Sequence, residues 1–205
     1  GTTLGNALRR VLLSSLPGAA ATGIRIKGVQ HEFSSIPGVK EDVVEIILNL
    51  KELRLRCFSE QEVTVKLSKK GEGPVTAADF KTTSDVEIVN PELQIASITS
   101  KDTDLEIEMT VQQGRGFGSV ETRDKKSLPL GTIAIDALYS PVRDVGYKVE
   151  FMRVGDITNF EKLYVSIVTD GTILPKEAVD QSVKILLNHF NIIALGAGDA
   201  AAKAE

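Results

Sequence analysis

The amino-acid sequence predicts an α+β fold in which an outer domain, with two long helices and antiparallel strands, is interrupted by an inserted β-rich domain. Apolar residues recur at helical spacing near both ends of the chain, whereas in the middle they alternate with polar residues. Glycines and prolines separate the alternating runs. We expect the outer domain to comprise residues 1–17 and 142–195, the insert residues 18–141, and a flexible linker or tail to begin in 196–205.

The stretch GTTLGNALRRVLLSSLPG predicts the first helix. Its apolar residues recur every three or four positions and so share one face: Leu4, Ala7, Leu8, Val11 and Leu12. Pro17 ends the helix, because proline cannot continue the backbone hydrogen-bond ladder. Arg9 and Arg10 fall beside and behind the apolar face at about 100° per residue, so this helix offers two surfaces.

Strands and one short helix follow. The stretch TGIRIKGVQHEF (residues 22–33) predicts one or two strands with a turn at Gly28. Residues 43–50 predict a short helix whose first turn carries the acidic Glu41 and Asp42. Four runs then alternate apolar and polar residues, as strands with one solvated face do: LRLRC, VTVKL, VEIV and LEIEMTV.

The last third of the chain returns to longer elements. The runs VGYKVEFMRV and KLYVSIVTDG predict a pair of antiparallel strands, and residues 175–195 predict a helix. Pro175 and Glu177 both suit the first turn of that helix. One side of it carries Ala178, Ser182, Leu186, Phe190 and Ile193.

Composition limits the class of protein. The 205 residues carry a formal net charge of −4 and 42% of them are hydrophobic, which favours an ordered globular protein and disfavours direct binding to nucleic acid. No apolar run reaches the roughly 20 residues that span a membrane. The single cysteine, Cys57, cannot form an internal disulfide, and we therefore expect a cytoplasmic protein.

No cluster of residues predicts an active site or a metal centre. His31 and His189 lack a second ligand at metal-binding spacing, and no serine stands in a nucleophile motif. The stretch GRGFGS (residues 114–119) has glycines at alternate positions, but a charged stretch follows it, which favours a turn over a phosphate-binding loop. We expect no catalytic residue, no metal and no cofactor.

The arginine pair and the leucine stripe of the first helix each leave two interpretations open. Arg9 and Arg10 suit contacts with carboxylates or carbonyl groups of a partner protein, but arginines on a solvated helix face have the same pattern. The leucines belong either to the core of this chain or to a core shared with a second copy.

Several stretches between Gly1 and Leu195 together resemble, in the same order, the amino-terminal domain of bacterial RNA polymerase alpha subunits: GTTLGNALRRVLLSSLPGAA, HEFSSIPGVKEDVVEIILNLKEL, GPVTAADF, DVEIVNPELQIA, QQGRGF and TDGTILPKEA. The resemblance implies an outer domain that homodimerises through its helices. It also implies a non-catalytic subunit of a nucleotidyltransferase, DNA-directed RNA polymerase, on which the beta and beta-prime subunits assemble. Direct contact of this fragment with DNA or a membrane is not expected.

The resemblance assigns roles to residues by motif. Contacts to the beta subunit are expected from Arg10, Arg9, Asn6, His31, Glu32, Ser34, Ser35, Pro37, Lys40 and Lys51. Contacts to the beta-prime subunit are expected from Tyr139, Ser140, Pro141, Arg143, Thr158 and Lys162. The dimer interface is expected to contain Leu4, Leu8, Val11, Leu12, Leu186, Phe190 and Ile193.

Two other functions are alternatives. A small-molecule enzyme would have its site between the two domains, with the loop at Gly114–Gly118 over the ligand, and would require perturbed carboxylates in a pocket. A nucleic-acid-binding module would require a localised basic face and an affinity for DNA that falls steeply with salt.

Overall fold

The computed structural model describes residues 1–122 and 131–200 of the chain. The chain divides into two compact units, of which unit 1 combines Gly1–Leu16 with the chain from Ser140 onward and unit 2 is Pro17–Tyr139. Antiparallel strands and three helices make up the regular structure of the described residues, in agreement with the α+β class. The role of unit 1 as a dimerisation domain stays a prediction.

In chain order, the helices and strands of the described residues are α1 (Thr2–Ser14), β1 (Pro17–Ile26), α2 (Val43–Lys51), β2 (Leu55–Cys57), β3 (Val63–Lys70), β4 (Gly73–Thr76), β5 (Phe80–Lys81), β6 (Val86–Ile88), β7 (Gln94–Ile98), β8 (Asp104–Arg115), β9 (Phe117–Gly118), β10 (Ile133–Ala134), β11 (Ala137–Leu138), β12 (Val142–Val154), β13 (Ile157–Thr169) and α3 (Pro175–Ala200).

In unit 1, a long hairpin of β12 and β13 packs against α1. The two strands pair along nearly their whole length, which confirms the predicted antiparallel pair. The backbone of α1 lies close to the hairpin at Gly5, where an added Cβ atom would stand 2.6 Å from the Tyr147 ring. The buried core of unit 1 consists of Leu12, Leu16, Val142, Val145 and Ala178.

The first two helices have clear sequence signals at their ends. Helix α1 ends at Ser14, before Pro17, as predicted. Asp42 is the N-cap of α2, because its carboxylate accepts a hydrogen bond from the Glu45 N–H at 2.7 Å while the Glu45 carboxylate accepts one from the Asp42 N–H. Asp42 thus precedes the first turn in which the sequence analysis placed it, and it stabilises α2 as a cap.

Helix α3 extends beyond its predicted end at Leu195. It continues to Ala200, but Gly196 interrupts it with a left-handed φ of +72°. The kink coincides with the residue at which the sequence analysis began the linker or tail. Residues 201–205 of that predicted tail lie outside the described residues.

Unit 2 is organised around a sheet whose strands lie in the order β5, β3, β8, β1, β2 and β6, with β10 also paired to β1. Helix α2 contacts β1 and β7. Buried side chains from the sheet and from α2 share one core, which includes Ile24, Val43, Ile46, Leu67, Ile107 and Met109. Buried and partly exposed residues alternate along β8, which confirms the predicted solvated face of Asp104, Glu106 and Glu108.

The strand prediction for residues 22–33 is partly wrong. Strand β1 begins at Pro17, earlier than predicted, and ends at Ile26. Gly28 turns the chain with a left-handed φ of +81°, as the sequence indicated, but no strand follows before α2. Pairing with β8 extends β1 toward its start, since Pro17 lies opposite Arg115.

Charged side chains form a ladder across the solvated face of this sheet. The Glu108 carboxylate on β8 accepts a hydrogen bond from Arg25 Nε on β1 at 2.9 Å and pairs with Lys66 Nζ on β3 at 2.7 Å. Glu106 on β8 pairs with Lys27 Nζ at 2.6 Å. The hydrogen bonds from Lys66 and Arg25 lower the pKa of Glu108 below its usual range.

The substitution Glu108→Gln is expected to lower the free energy of unfolding by about 0.5–1 kcal/mol near pH 7. A carboxylate whose pKa is lower in the folded state stabilises the fold above its unfolded pKa, about 4.3, and loses that effect as the pH falls through the lowered folded value. Urea unfolding near pH 7 and near pH 3 measures this, and wild type and variant should converge at the lower pH. Glu72→Gln, at an exposed glutamate of the same unit, is the control. An equal loss in both variants would contradict the prediction.

Candidate assembly interface

The exposed face of α1 carries the arginine pair. Asn6, Arg9 and Arg10 are exposed, whereas Gly5 and Leu12 are buried on the side of the helix that packs within unit 1. Neither guanidinium group of the pair forms an ion pair with any residue that the structure describes. The two surfaces predicted for this helix are therefore both present, and the arginine donors face solvent.

The apolar stripe of α1 belongs mainly to the core of this chain. Leu12 is fully buried, and Leu8 packs against the same core. Leu12 is therefore a correction to the predicted dimer interface, because no part of its side chain is accessible to a second copy. Leu4, one turn before Leu8, is 65% exposed, and Val11 is half-buried.

Exposed apolar side chains continue along the second half of α3. In its first half, Ala178 and Ser182 are buried, and Leu186 is half-buried. Beyond them, the large exposed apolar residues are Leu187, Phe190, Ile192, Ile193 and Leu195. Phe190 and Ile193 were predicted for a dimer interface. The other three were missed because the sequence analysis assigned a single apolar side to the helix.

The segment between β1 and α2 presents most of the residues predicted from the second motif. The exposed ones are His31, Glu32, Ser35, Pro37 and Lys40. Ser34 is half-buried, with its hydroxyl 3.1 Å from His31 Nδ1. Phe33 is 80% exposed and was not among the residues predicted to contact the beta subunit, because it falls in the stretch predicted as strand. Lys51, at the end of α2, has its ammonium group 3.5 Å from the Asp136 carboxylate. These residues belong to unit 2, and the arginine pair belongs to unit 1.

The structure corrects part of the set predicted to contact beta-prime. Tyr139 is 8% exposed and Pro141 is buried, so neither offers a side chain to a partner. Ser140 is half-buried, and its hydroxyl donates to the Leu13 carbonyl oxygen at 3.1 Å. Its hydroxyl thus holds the turn into β12 against α1 within unit 1.

The remaining predicted beta-prime contacts lie on the hairpin of unit 1. Arg143 on β12 and Lys162 on β13 are exposed. The Lys162 ammonium lies 4.6 Å from the centre of the Tyr164 ring, a cation–π distance. A hydrogen bond with the Tyr164 side chain raises the pKa of Lys162. Thr158 is part of β13, but its side chain lies outside those that the structure describes.

The glycines of GRGFGS have a structural explanation. The stretch covers the end of β8 and all of β9, and Gly116 between them has a left-handed φ of +63°. At Gly114 and Gly118 an added Cβ would lie 2.7 Å and 3.2 Å from the Tyr139 ring. The next described element is a single 3-10 turn, Val120–Thr122, instead of the helix that a phosphate-binding loop requires.

The acidic, histidine and cysteine side chains that the structure describes were predicted to hold no metal. No group of three or more His, Cys, Asp and Glu residues among them could hold a metal ion. Burial alone would raise the pKa of Asp79, but hydrogen bonds from Lys69 and Thr76 lower it, so this carboxyl group stays ionised as a structural acceptor. None of the helices in the described ranges is long and apolar enough to cross a membrane.

The exposed arginines, the exposed half of α3 and the segment between β1 and α2 are features of a protein with surfaces for binding other proteins. Residues 24–140 match the model of the RNA polymerase Rpb3/RpoA insert domain. A curated protein from Roseiflexus sp. (strain RS-1), named DNA-directed RNA polymerase subunit alpha, is 53% identical over 194 residues. The match covers 95% of this chain and 59% of the length of that relative. The chain belongs to the bacterial RNA polymerase alpha subunit family, which confirms the resemblance seen in its motifs.

Proposed function

We propose that this chain dimerises through unit 1 and acts as the platform on which the beta and beta-prime subunits of a DNA-directed RNA polymerase assemble. In this role it contributes to transcription in the cytoplasm without a catalytic residue of its own. Membership of the alpha subunit family supports the proposal, together with exposed surfaces of the kind that bind proteins. The platform would need three kinds of surface, one for a second copy and one for each of the two larger subunits.

The observation that carries the proposal is the pair of exposed guanidinium groups on α1, which form no ion pair with the residues that the structure describes. The buried side of the helix is fixed by Leu12 in the core and by the close approach of Gly5 to the Tyr147 ring. A helix held rigidly by its buried side presents Arg9 and Arg10 in a fixed position, and five donors on each guanidinium suit carboxylates and backbone carbonyls of a partner. We assign this surface to the beta subunit, together with the exposed segment between β1 and α2.

For the beta-prime subunit, the hairpin of unit 1 is the surface that remains from the predicted set. Arg143 and Lys162 are its exposed basic residues. The aromatic rings of Phe151 and Phe160 are also exposed on this hairpin, by 80% and 46%. Aromatic and basic side chains side by side are typical of protein interfaces, and we include both rings in the proposed beta-prime surface.

Arg10→Ala is the substitution that tests the platform. Removing an arginine from a desolvated interface pair typically costs about 2–5 kcal/mol, so the affinity for the beta subunit should fall at least about 30-fold. Co-purification with the beta subunit, followed by titration, measures this loss. Arg54→Ala, at an exposed arginine of unit 2, is the matched control and should bind as wild type does.

Circular dichroism and sedimentation establish that the Arg10→Ala chain is folded and has the oligomeric state of wild type. A folded Arg10→Ala chain that binds the beta subunit with wild-type affinity would remove the arginine from the interface. A folded wild-type chain that does not bind the beta subunit would refute the platform itself.

A further inference from the structure

The segment between β1 and α2 has a more exposed half, which contacts the rest of unit 2 through Ile36 and the Ser34 carbonyl oxygen, and an anchored half that is hydrogen-bonded along β7. The exposed half, residues 31–37, is called the tip here, and it carries Phe33 with 80% of its surface accessible. The anchored half, residues 38–41, is called the arm. The tip and the arm are joined at Gly38, whose left-handed φ of +78° and close approach to the Thr103 side chain leave no room for a side chain.

The arm lies along β7 and is joined to it by an isolated β-bridge and two backbone hydrogen bonds. Val39 forms a β-bridge with Ile98, the Lys40 N–H donates to the Ser97 carbonyl oxygen at 2.9 Å, and the Thr99 N–H donates to the Gly38 carbonyl oxygen at 2.8 Å. Strand β7 is itself paired with β4. The backbone of the arm therefore has a defined position, and the tip begins from a fixed point.

Glu41 is the last residue of the arm, and its carboxylate is hydrogen-bonded to Ser97 on β7. One carboxylate oxygen accepts a hydrogen bond from the Ser97 N–H at 2.6 Å, and the other accepts one from the Ser97 hydroxyl at 2.9 Å. Gln94 donates to the same hydroxyl at 2.8 Å. Bonds that involve a charged acceptor are stronger than neutral ones, so this half-buried contact is the strongest polar link between the arm and β7.

We propose that Glu41 is a positioning residue for the beta subunit: it holds the arm on β7 and thereby keeps the tip, with Phe33, in its binding conformation. The inference rests on the proposed function, since it takes the tip as part of the beta-binding surface. A loop that is ordered before binding loses less conformational entropy in the complex, and that difference appears as affinity. Asp42, the next residue, caps α2, so the chain is fixed on both sides of the arm.

The test compares two substitutions at Glu41. Glu41→Ala removes both hydrogen bonds and is expected to weaken binding of the purified beta subunit about tenfold. Glu41→Gln keeps an acceptor for the Ser97 N–H and a polar group for its hydroxyl, so it should bind within about threefold of wild type. If Glu41→Gln loses as much affinity as Glu41→Ala, the charge is required, and coupling to Phe33 in the cycle below decides whether the charge acts by holding the arm or by direct contact with the partner, which would make the positioning role wrong. Glu60→Ala, at an exposed glutamate of unit 2, is the control.

A double-mutant cycle with Phe33→Ala separates positioning from general stability. If Glu41 acts through the tip, Glu41→Ala should cost much less affinity when Phe33 is already alanine, whereas independent effects would add. Thermal unfolding identifies a variant that fails to fold, and in that case Ser97→Ala, which removes only the hydroxyl, takes its place with an expected loss of about threefold. Additive effects on binding would overturn the inference while the platform stands. Absence of binding by folded wild-type chain would overturn the platform and the inference together.

Discussion

Replacing Phe190 by aspartate is expected to convert the chain from a dimer into a monomer without unfolding unit 1. The Phe190 side chain is 60% exposed and that of Ile193, on the next turn of α3, is 75% exposed. Side chains with so much accessible surface contribute little to the core of their own unit, so a polar replacement leaves that core intact. We propose that a second copy of this chain buries them.

The energy available from this surface is of the order that dimerisation requires. Burying a large apolar side chain contributes about 1.5–3 kcal/mol, and each copy has several exposed on α3. Because these side chains are already partly buried, the sum from both copies is comparable to the association cost of about 4–15 kcal/mol. An aspartate at the centre of the interface would both remove one apolar contact and bury an unpaired charge, which costs several kcal/mol more. The dissociation constant should therefore rise by at least about 100-fold.

Sedimentation velocity over a range of concentrations measures the change. Asn188→Asp places the same charge on the same helix at an exposed polar residue, and it should sediment as wild type does. Circular dichroism should show unchanged helix content in both variants. A wild-type chain that stays monomeric at every concentration, or a Phe190→Asp chain that still dimerises, would show that the exposed half of α3 does not form the dimer interface.

Regular patterns in the sequence predicted the elements that are stabilised locally. The alternation along β8 could be predicted because successive residues of a strand face opposite sides of a sheet. The start of α2 also has a local signal, since Asp42 and Glu45 satisfy backbone groups within three residues of each other, although Asp42 was predicted as a residue of the first turn and not as its cap. In both cases the information lies within a few positions of the element it describes.

The errors concern contacts between residues that are distant in sequence. The stripe of α1 showed that Leu12 and Leu4 share a side, but only the hairpin of unit 1 determines that Leu12 is buried and Leu4 is exposed. The early start of β1 at Pro17 depends on pairing with the far end of β8. A proline is compatible with the first residue of a strand, so Pro17 both ends α1 and begins β1. The pattern of apolar residues in the sequence does not identify these packing and pairing partners.

The substitution Gly114→Ala is expected to destabilise unit 2 by about 1–3 kcal/mol, because a Cβ at this position would overpack a buried aromatic ring. Three atoms of the Tyr139 ring lie 2.7 Å from the position of that Cβ, and Tyr139 is only 8% exposed. The ring therefore has little room to move away. Strand β8 is also constrained there, since Gly114 pairs with Gly18 on β1.

Chemical denaturation measures the decrease in the free energy of unfolding, and Gly146→Ala is the matched control. Its Cβ would meet Ser166 at 3.9 Å, an ordinary contact, so the cost should be small. The double variant Gly114→Ala with Tyr139→Leu should lose less than the sum of the single changes, because the smaller side chain relieves the clash. If Gly114→Ala is as stable as wild type, packing against Tyr139 does not explain the glycines of GRGFGS. The close approach of a ligand to this backbone, as in the small-molecule enzyme hypothesis, would then become the explanation to test.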